Sequence, residues 1–91
     1  MSKSIEAEFN YFNKLATAKG IVRWCTKNAW LNGLKQGRTG RVLTNTVRGE
    51  ISEMIVEECS DLAYLHYGRK TIQELLDVLQ QELDELATLQ N

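Results

Sequence analysis

Apolar residues recur at intervals of three and four along most of the chain, which is the spacing of one face of an α-helix. The pattern predicts four helical segments, at about residues 4–18, 20–35, 42–67 and 71–90. Proline is absent and the glycines lie mostly between these segments, which is typical of helices joined by short turns. The predicted fold is therefore all-α, a compact bundle of three to four helices, with residues 1–91 forming a single domain.

The number of helices depends on Gly20, which separates the first two segments. This glycine can break the chain into two helices, or it can lie within one continuous helix at a small cost in stability. Further along, Gly37 is a natural place for the second segment to stop. Residues 37–41, with the sequence GRTGR, are the one clear loop that the pattern predicts.

The last segment carries the clearest local signals. Thr71 followed by Glu74 has the spacing of a capping box, which predicts a helix that starts at Thr71. Apolar residues then alternate by four and three, as in a heptad seam; they are Ile72, Leu76, Leu79, Leu83 and Leu86. The seam can pack on the third segment or on a second copy of the chain, and we favour the intrachain packing. A core this small also favours a homo-oligomer, so Leu76, Leu79 and Leu83 are candidate interface residues.

Charge divides the chain into two halves of opposite sign. Residues 1–48 contain nine Lys and Arg and two acids, which gives a net charge of +7. Residues 49–91 contain two Lys and Arg and ten acids, which gives −8, so the whole chain has a net charge of −1. This asymmetry indicates an anionic partner for the basic half, or pairing of the two halves with each other.

Three of the cations and one tryptophan are predicted to share a side of the second segment. At about 100° per residue, Lys19, Arg23 and Lys27 fall close to Trp30, whereas Trp24 falls towards the predicted core. A tryptophan among cations can stack on a nucleic-acid base or lie against a cation. The alternative is that Trp30 packs under another helix or at a subunit interface.

The predicted loop extends this basic surface. Glycines let backbone N–H groups approach a ligand, and arginine suits the geometry of phosphate. The spacing is not that of a Walker motif, so a solvated turn is the alternative. The predicted ligand-binding residues, for a nucleic acid or a phosphate-bearing nucleotide, are Lys19, Arg23, Lys27, Trp30, Lys35, Arg38 and Arg41.

The third segment has an acidic side, formed by Glu50, Glu53, Glu57 and Asp61. These side chains can be solvated, or they can dock against the basic stripe. Glu58 instead falls within the apolar stripe, where a charge is costly unless it is paired. An ion pair, a solvent-reached edge and a ligand pocket are the three alternatives. Two tyrosines near the end of this segment suit a protein interface. Together with the neighbouring acids they are the candidate interface residues: Glu57, Glu58, Asp61, Tyr64 and Tyr67.

Motifs for chemistry are lacking in the sequence. Cys25 and Cys59 are isolated and His66 is the only histidine, so we predict no catalytic residue, no metal and no cofactor. No apolar run suits a membrane span or a secretory signal, which favours a cytoplasmic protein that does not engage membranes.

Two functions are compatible with these features. The first is a non-enzymatic binding protein whose basic surface takes nucleic acid or a nucleotide. The second is a protein–protein inhibitor or adaptor, such as a small phage-type protein that blocks a host defence or transcription component through its acidic, tyrosine-bearing surface.

Overall fold

The computed structural model describes the backbone of residues 2–60 and 66–90, and the side chains of residues 14–60 and 68–89. Three helices account for nearly all of these residues: α1 spans Ser2–Lys35, α2 spans Gly40–Glu58 and α3 spans His66–Gln90. The described part of the chain contains no strand, which confirms the all-α prediction. Each helix packs against the other two, so the bundle has a single core.

The first two predicted segments form one helix, α1, of 34 residues. Gly20 lies inside it in the helical conformation, and a side chain at this position would meet nothing within 4 Å. The bundle therefore has three helices, and the predicted boundary between residues 18 and 20 is wrong. A glycine in a helix costs about 1 kcal/mol, which the packing of α1 against both neighbouring helices outweighs.

The predicted turn after α1 is confirmed. Gly37 has a φ of 84°, its N–H donates to the carbonyl of Leu34 at 3.0 Å, and the N–H of Arg38 donates to the carbonyl of Gly33 at 3.0 Å. This pair of bonds is a Schellman motif, which satisfies carbonyls at the end of the helix. The turn is shorter than predicted, because α2 already begins at Gly40.

The bounds of the last two helices also differ from the prediction. Helix α2 ends at Glu58 with Cys59 as its C-cap, nine residues before the predicted end at residue 67. Helix α3 begins at His66, so that Thr71 is an interior residue and the predicted capping box is wrong. Thr71 is buried on the same face as Leu75, one turn before it.

The core lies where the three helices meet. Its buried apolar residues, among those that the structure describes, are Leu15, Val22, Trp30, Leu43, Val47, Ile51, Ile55, Cys59, Leu75, Val78, Leu79 and Leu83. Leu76 and Leu86 pack against this core from its edge. The heptad seam of α3 therefore packs within the chain, as favoured from the sequence. Leu76, Leu79 and Leu83 are engaged in the core, and a homo-oligomer remains a prediction with no assigned surface.

Candidate interaction surface on the outer face of α1

Two cations of the predicted ligand-binding set are engaged by carboxylates of α3. Nζ of Lys19 lies 3.5 Å from Oε2 of Glu74, and Nζ of Lys27 lies 3.6 Å from Oε1 of Glu82. The side chain of Glu82 is only 6% exposed, so Lys27 compensates a carboxylate that the fold buries. The basic and acidic halves of the chain thus pair with each other at these two positions. The carboxylates come from α3 and not from the predicted acidic side of the third segment.

The acidic side of α2 takes no part in this pairing. Glu50, Glu53 and Glu57 are exposed, and no ion pair joins them to a described residue. Asp61, Tyr64 and the side chain of Tyr67 lie outside the described residues, so the predicted acidic, tyrosine-bearing interface stays a prediction.

The two tryptophans have the opposite placement to the predicted one. Trp30 is 3% exposed and belongs to the core, whereas Trp24 is 68% exposed. The prediction that Trp30 stacks on a ligand is therefore wrong, and its alternative, packing under another helix, is confirmed. The core face of α1 follows Val22, Thr26 and Trp30, a direction about 60° around the helix from the predicted face. The hydroxyl of Thr26 is satisfied there, since it donates to the carbonyl of Val22 at 2.7 Å.

The remaining cations cluster near the turn between α1 and α2. Lys35 and Arg41 are exposed and Arg38 is half-buried; none of the three forms an ion pair with a described residue. Arg38 donates to the side-chain oxygen of Gln36. Arg23, on α1, is likewise exposed and without an ion pair in the described part of the chain.

Arg48 is held differently. Its guanidinium donates to Oδ1 of Asn45 at 3.0 Å and to Oε1 of Gln80 at 3.3 Å. Gln80 lies on α3, so the second bond connects α2 to α3, and no described carboxylate forms an ion pair with Arg48.

A cavity of about 490 Å³ lies between the three helices, beside Cys59. Most of its wall is apolar, and Lys14 and Glu58 contribute the charged groups. Glu58 is exposed, so it combines two of its three predicted alternatives, a solvent-reached edge and a pocket. Burial raises the pKa of the Cys59 thiol above its ordinary value of 9.0, and the charge of Glu58 raises it further. This thiol stays protonated at neutral pH and is a poor nucleophile.

The outer face of α1 carries a second row of apolar side chains, whose first member, Ile21, also borders the cavity beside Cys59. Ile21, Trp24 and Leu31 are 52%, 68% and 56% exposed, and Asn28 lies between the last two, with its Nδ2 donating to the carbonyl of Trp24 at 2.8 Å. We call these four residues the outer stripe. Their spacing of three, four and three places them on one side of the helix.

The outer stripe was missed from the sequence, although its spacing could have revealed it. Trp24 is predicted to fall towards the core, so the sequence does not separate the outer stripe from the row of Val22, Cys25 and Ala29 on the same helix. Two apolar rows on one helix indicate that two sides of the helix pack against other surfaces. In the bundle, only one of these rows packs into the core.

Comparison with known proteins adds no relative: the chain matches no protein-family model, no curated protein and no solved structure. Among the described residues, none of the helices has an apolar stretch long enough to cross a bilayer. The same residues contain no group of three or more His, Cys, Asp or Glu side chains placed to hold a metal ion.

Proposed function

We propose that the protein is a non-enzymatic helical binding protein that acts through protein–protein contact, as an adaptor or inhibitor. The outer stripe of α1 is its contact surface. The observation that supports this most directly is the 68% exposure of Trp24 between two further exposed apolar residues, Ile21 and Leu31. Tryptophan is strongly enriched among the residues that contribute most to binding energy at protein interfaces.

Stability of the bundle gives no reason for Trp24 and Leu31. The core of α1 lies on the opposite side, around Val22 and Trp30, and of the outer stripe only Ile21 borders the cavity between the helices. Single exposed apolar residues are ordinary on soluble proteins, whereas a contiguous row marks an interaction surface. Burial of such side chains in a complex contributes about 1.5–3 kcal/mol for each one fully covered.

The test uses a photoreactive side chain at the centre of the stripe. Trp24 is replaced by p-benzoylphenylalanine, and the matched control carries the same residue in place of Val56, an exposed apolar position on α2. Irradiation in extracts of cells that carry the gene is expected to give a defined protein adduct from position 24 alone. Further substitution of Leu31→Ser should remove that adduct. Identical adduct patterns from both positions would refute the assignment.

Anion binding at the turn between α1 and α2 is the second candidate function. It is supported by Lys35, Arg38 and Arg41, which lie around Gly37 and form no ion pair with a described residue. This set is smaller than the predicted one, since Trp30 is buried and Lys19 and Lys27 contact α3. The ligand would be a nucleic acid or a nucleotide, recognised through phosphate.

This second candidate has its own test. Binding of single-stranded DNA or of ATP should weaken as salt is raised, and the double variant Arg38→Ala/Arg41→Ala should lose it. The control is Arg69→Ala/Lys70→Ala, which removes two exposed cations from α3. Unchanged affinity in the Arg38 and Arg41 variant excludes this site.

A further inference from the structure

We infer that the partner of the outer stripe is an acidic amphipathic helix of another protein. This inference rests on the proposed function and specifies its partner. Three observations carry it: the spacing of the stripe, the charge around it and the polar residue at its centre.

The spacing of the outer stripe suits a helix. Its positions, 21, 24, 28 and 31, follow the alternation of three and four that two packed helices share. They cover about 15 Å of the α1 surface, at 1.5 Å per residue. A partner helix can face this row with apolar anchors at the same spacing, as in other complexes formed by amphipathic helices.

Among the described side chains of α1 itself, the charges are of one sign. Residues 9–49 contain eight Lys and Arg and no acid. Lys14 and Lys35 lie near the two ends of the stripe and Lys27 follows one flank, whereas Arg23 lies further round the helix, towards Trp30. Lys27 keeps 60% of its side chain exposed although it contacts Glu82. A partner with acids beside its apolar row therefore complements this surface.

The same charges disfavour a symmetric contact between the α1 helices of two copies. Packing α1 on α1 would bring these cations together, and no acid of residues 9–49 is present to offset them. Like charges that face each other across an interface cost several kcal/mol.

Asn28 disfavours an anionic lipid surface. Its side chain lies in the middle of the row, between Trp24 and Leu31. Acyl chains cannot hydrogen-bond to an amide, so its burial in lipid is costly. A helix with a polar side chain opposite Asn28 satisfies the amide, and such a pair also sets the register of two helices.

The experiment is a selection from a displayed library of helical peptides. The library keeps apolar residues at heptad spacing and allows Glu, Gln or Lys at the positions that flank them. Selection uses the full chain, with counter-selection against the Trp24→Ala variant. Enrichment of Glu-flanked peptides supports the inference. Enrichment of Gln- or Lys-flanked peptides overturns it and retains the proposed function, and the absence of any Trp24-dependent enrichment overturns both.

A selected acidic peptide then tests the charge directly. Lys35→Glu is expected to weaken its binding at least tenfold at low salt, because Lys35 continues the stripe one turn beyond Leu31 and has no ion pair with a described residue. The control Lys70→Glu reverses an exposed cation on α3 and should leave the affinity unchanged. Equal effects of the two variants overturn the inference.

Two further measurements address the other occupants. Sedimentation of the full chain and of Trp24→Ala should show the same mass, since a dimer lost in this variant would assign the stripe to a second copy. Vesicles of phosphatidylserine should not blue-shift the emission of Trp24; a shift that Trp24→Phe abolishes would assign the stripe to lipid instead.

Discussion

Gly33 of α1 lies directly against the side chain of Leu43 on α2, so closely that a β-carbon at position 33 would overlap with Cδ1 of Leu43. Leu43 has no exposed surface. The two residues lie on either side of the turn that joins the helices. Because Gly33 has no side chain, α1 and α2 can approach each other closely here. The glycine that weakens α1 as an isolated helix thus allows α1 and α2 to close.

Substitution of two glycines in α1 should have opposite effects. Gly33→Ala is expected to lower the free energy of unfolding by about 1–2 kcal/mol, because overpacking of a filled core outweighs the gain in helix propensity. Gly20→Ala should raise it by about 1 kcal/mol, since that position is open. Urea titration of both variants measures the difference. Equal stabilisation would mean that Leu43 moves aside without cost.

The two ion pairs between α1 and α3 should differ in their contribution to stability. Lys27→Met leaves the buried Glu82 carboxylate without its cation and should cost about 1–3 kcal/mol, less than for a fully buried pair because Lys27 reaches solvent. Lys19→Met should cost under about 1 kcal/mol, since Lys19 and Glu74 are both about one-third exposed.

A double-mutant cycle provides the control for these pairs. Adding Glu82→Met to Lys27→Met should recover most of the lost free energy, because both charges are then removed from the α1–α3 contact. A Lys27→Met variant as stable as Lys19→Met would contradict the view that Glu82 needs its partner.

Stability should fall at alkaline pH through Cys59. Its pKa is higher in the folded chain than the 9.0 of an exposed thiol, first because of burial. The folded state therefore holds this proton more tightly, so the contribution is complete below about pH 9 and is lost as pH rises through the raised pKa.

Unfolding free energies measured from pH 7 to 10.5 test this dependence. The slope above pH 9 should be smaller in Cys59→Val than in the wild type, whereas Cys25→Ala should keep it. Parallel curves for the wild type and Cys59→Val would show that this thiol is not responsible.

The two tryptophans should respond in opposite ways to truncation. Trp30→Ala is expected to cost about 3–5 kcal/mol, as for other large aromatic residues in a core. Trp24→Ala should change stability by less than about 0.5 kcal/mol, because its side chain is largely in solvent. Acrylamide quenching of native fluorescence provides the second readout, and Trp24→Phe should remove the strongly quenched component. Comparable losses of stability in both alanine variants would contradict the exposed placement of Trp24.

The sequence by itself determined the helical architecture, the turn near Gly37 and the packing of α3 within the chain, although Leu75 and Val78 are buried where Ile72, Leu76 and Leu86 were predicted. These features follow from local periodicity and local turn chemistry. The charge asymmetry was also evident, although the pairing of Lys19 and Lys27 with α3 was not.

Only the tertiary structure decided which side of α1 faces inward. Rows that contain Val22 and Trp24 both satisfy the period of a helix, and the choice depends on how α2 and α3 fill the space beside α1. The same packing buried Trp30 and Thr71 and exposed the outer stripe. Local sequence cannot report these outcomes, because the free energy that separates them comes from contacts between residues far apart in the chain.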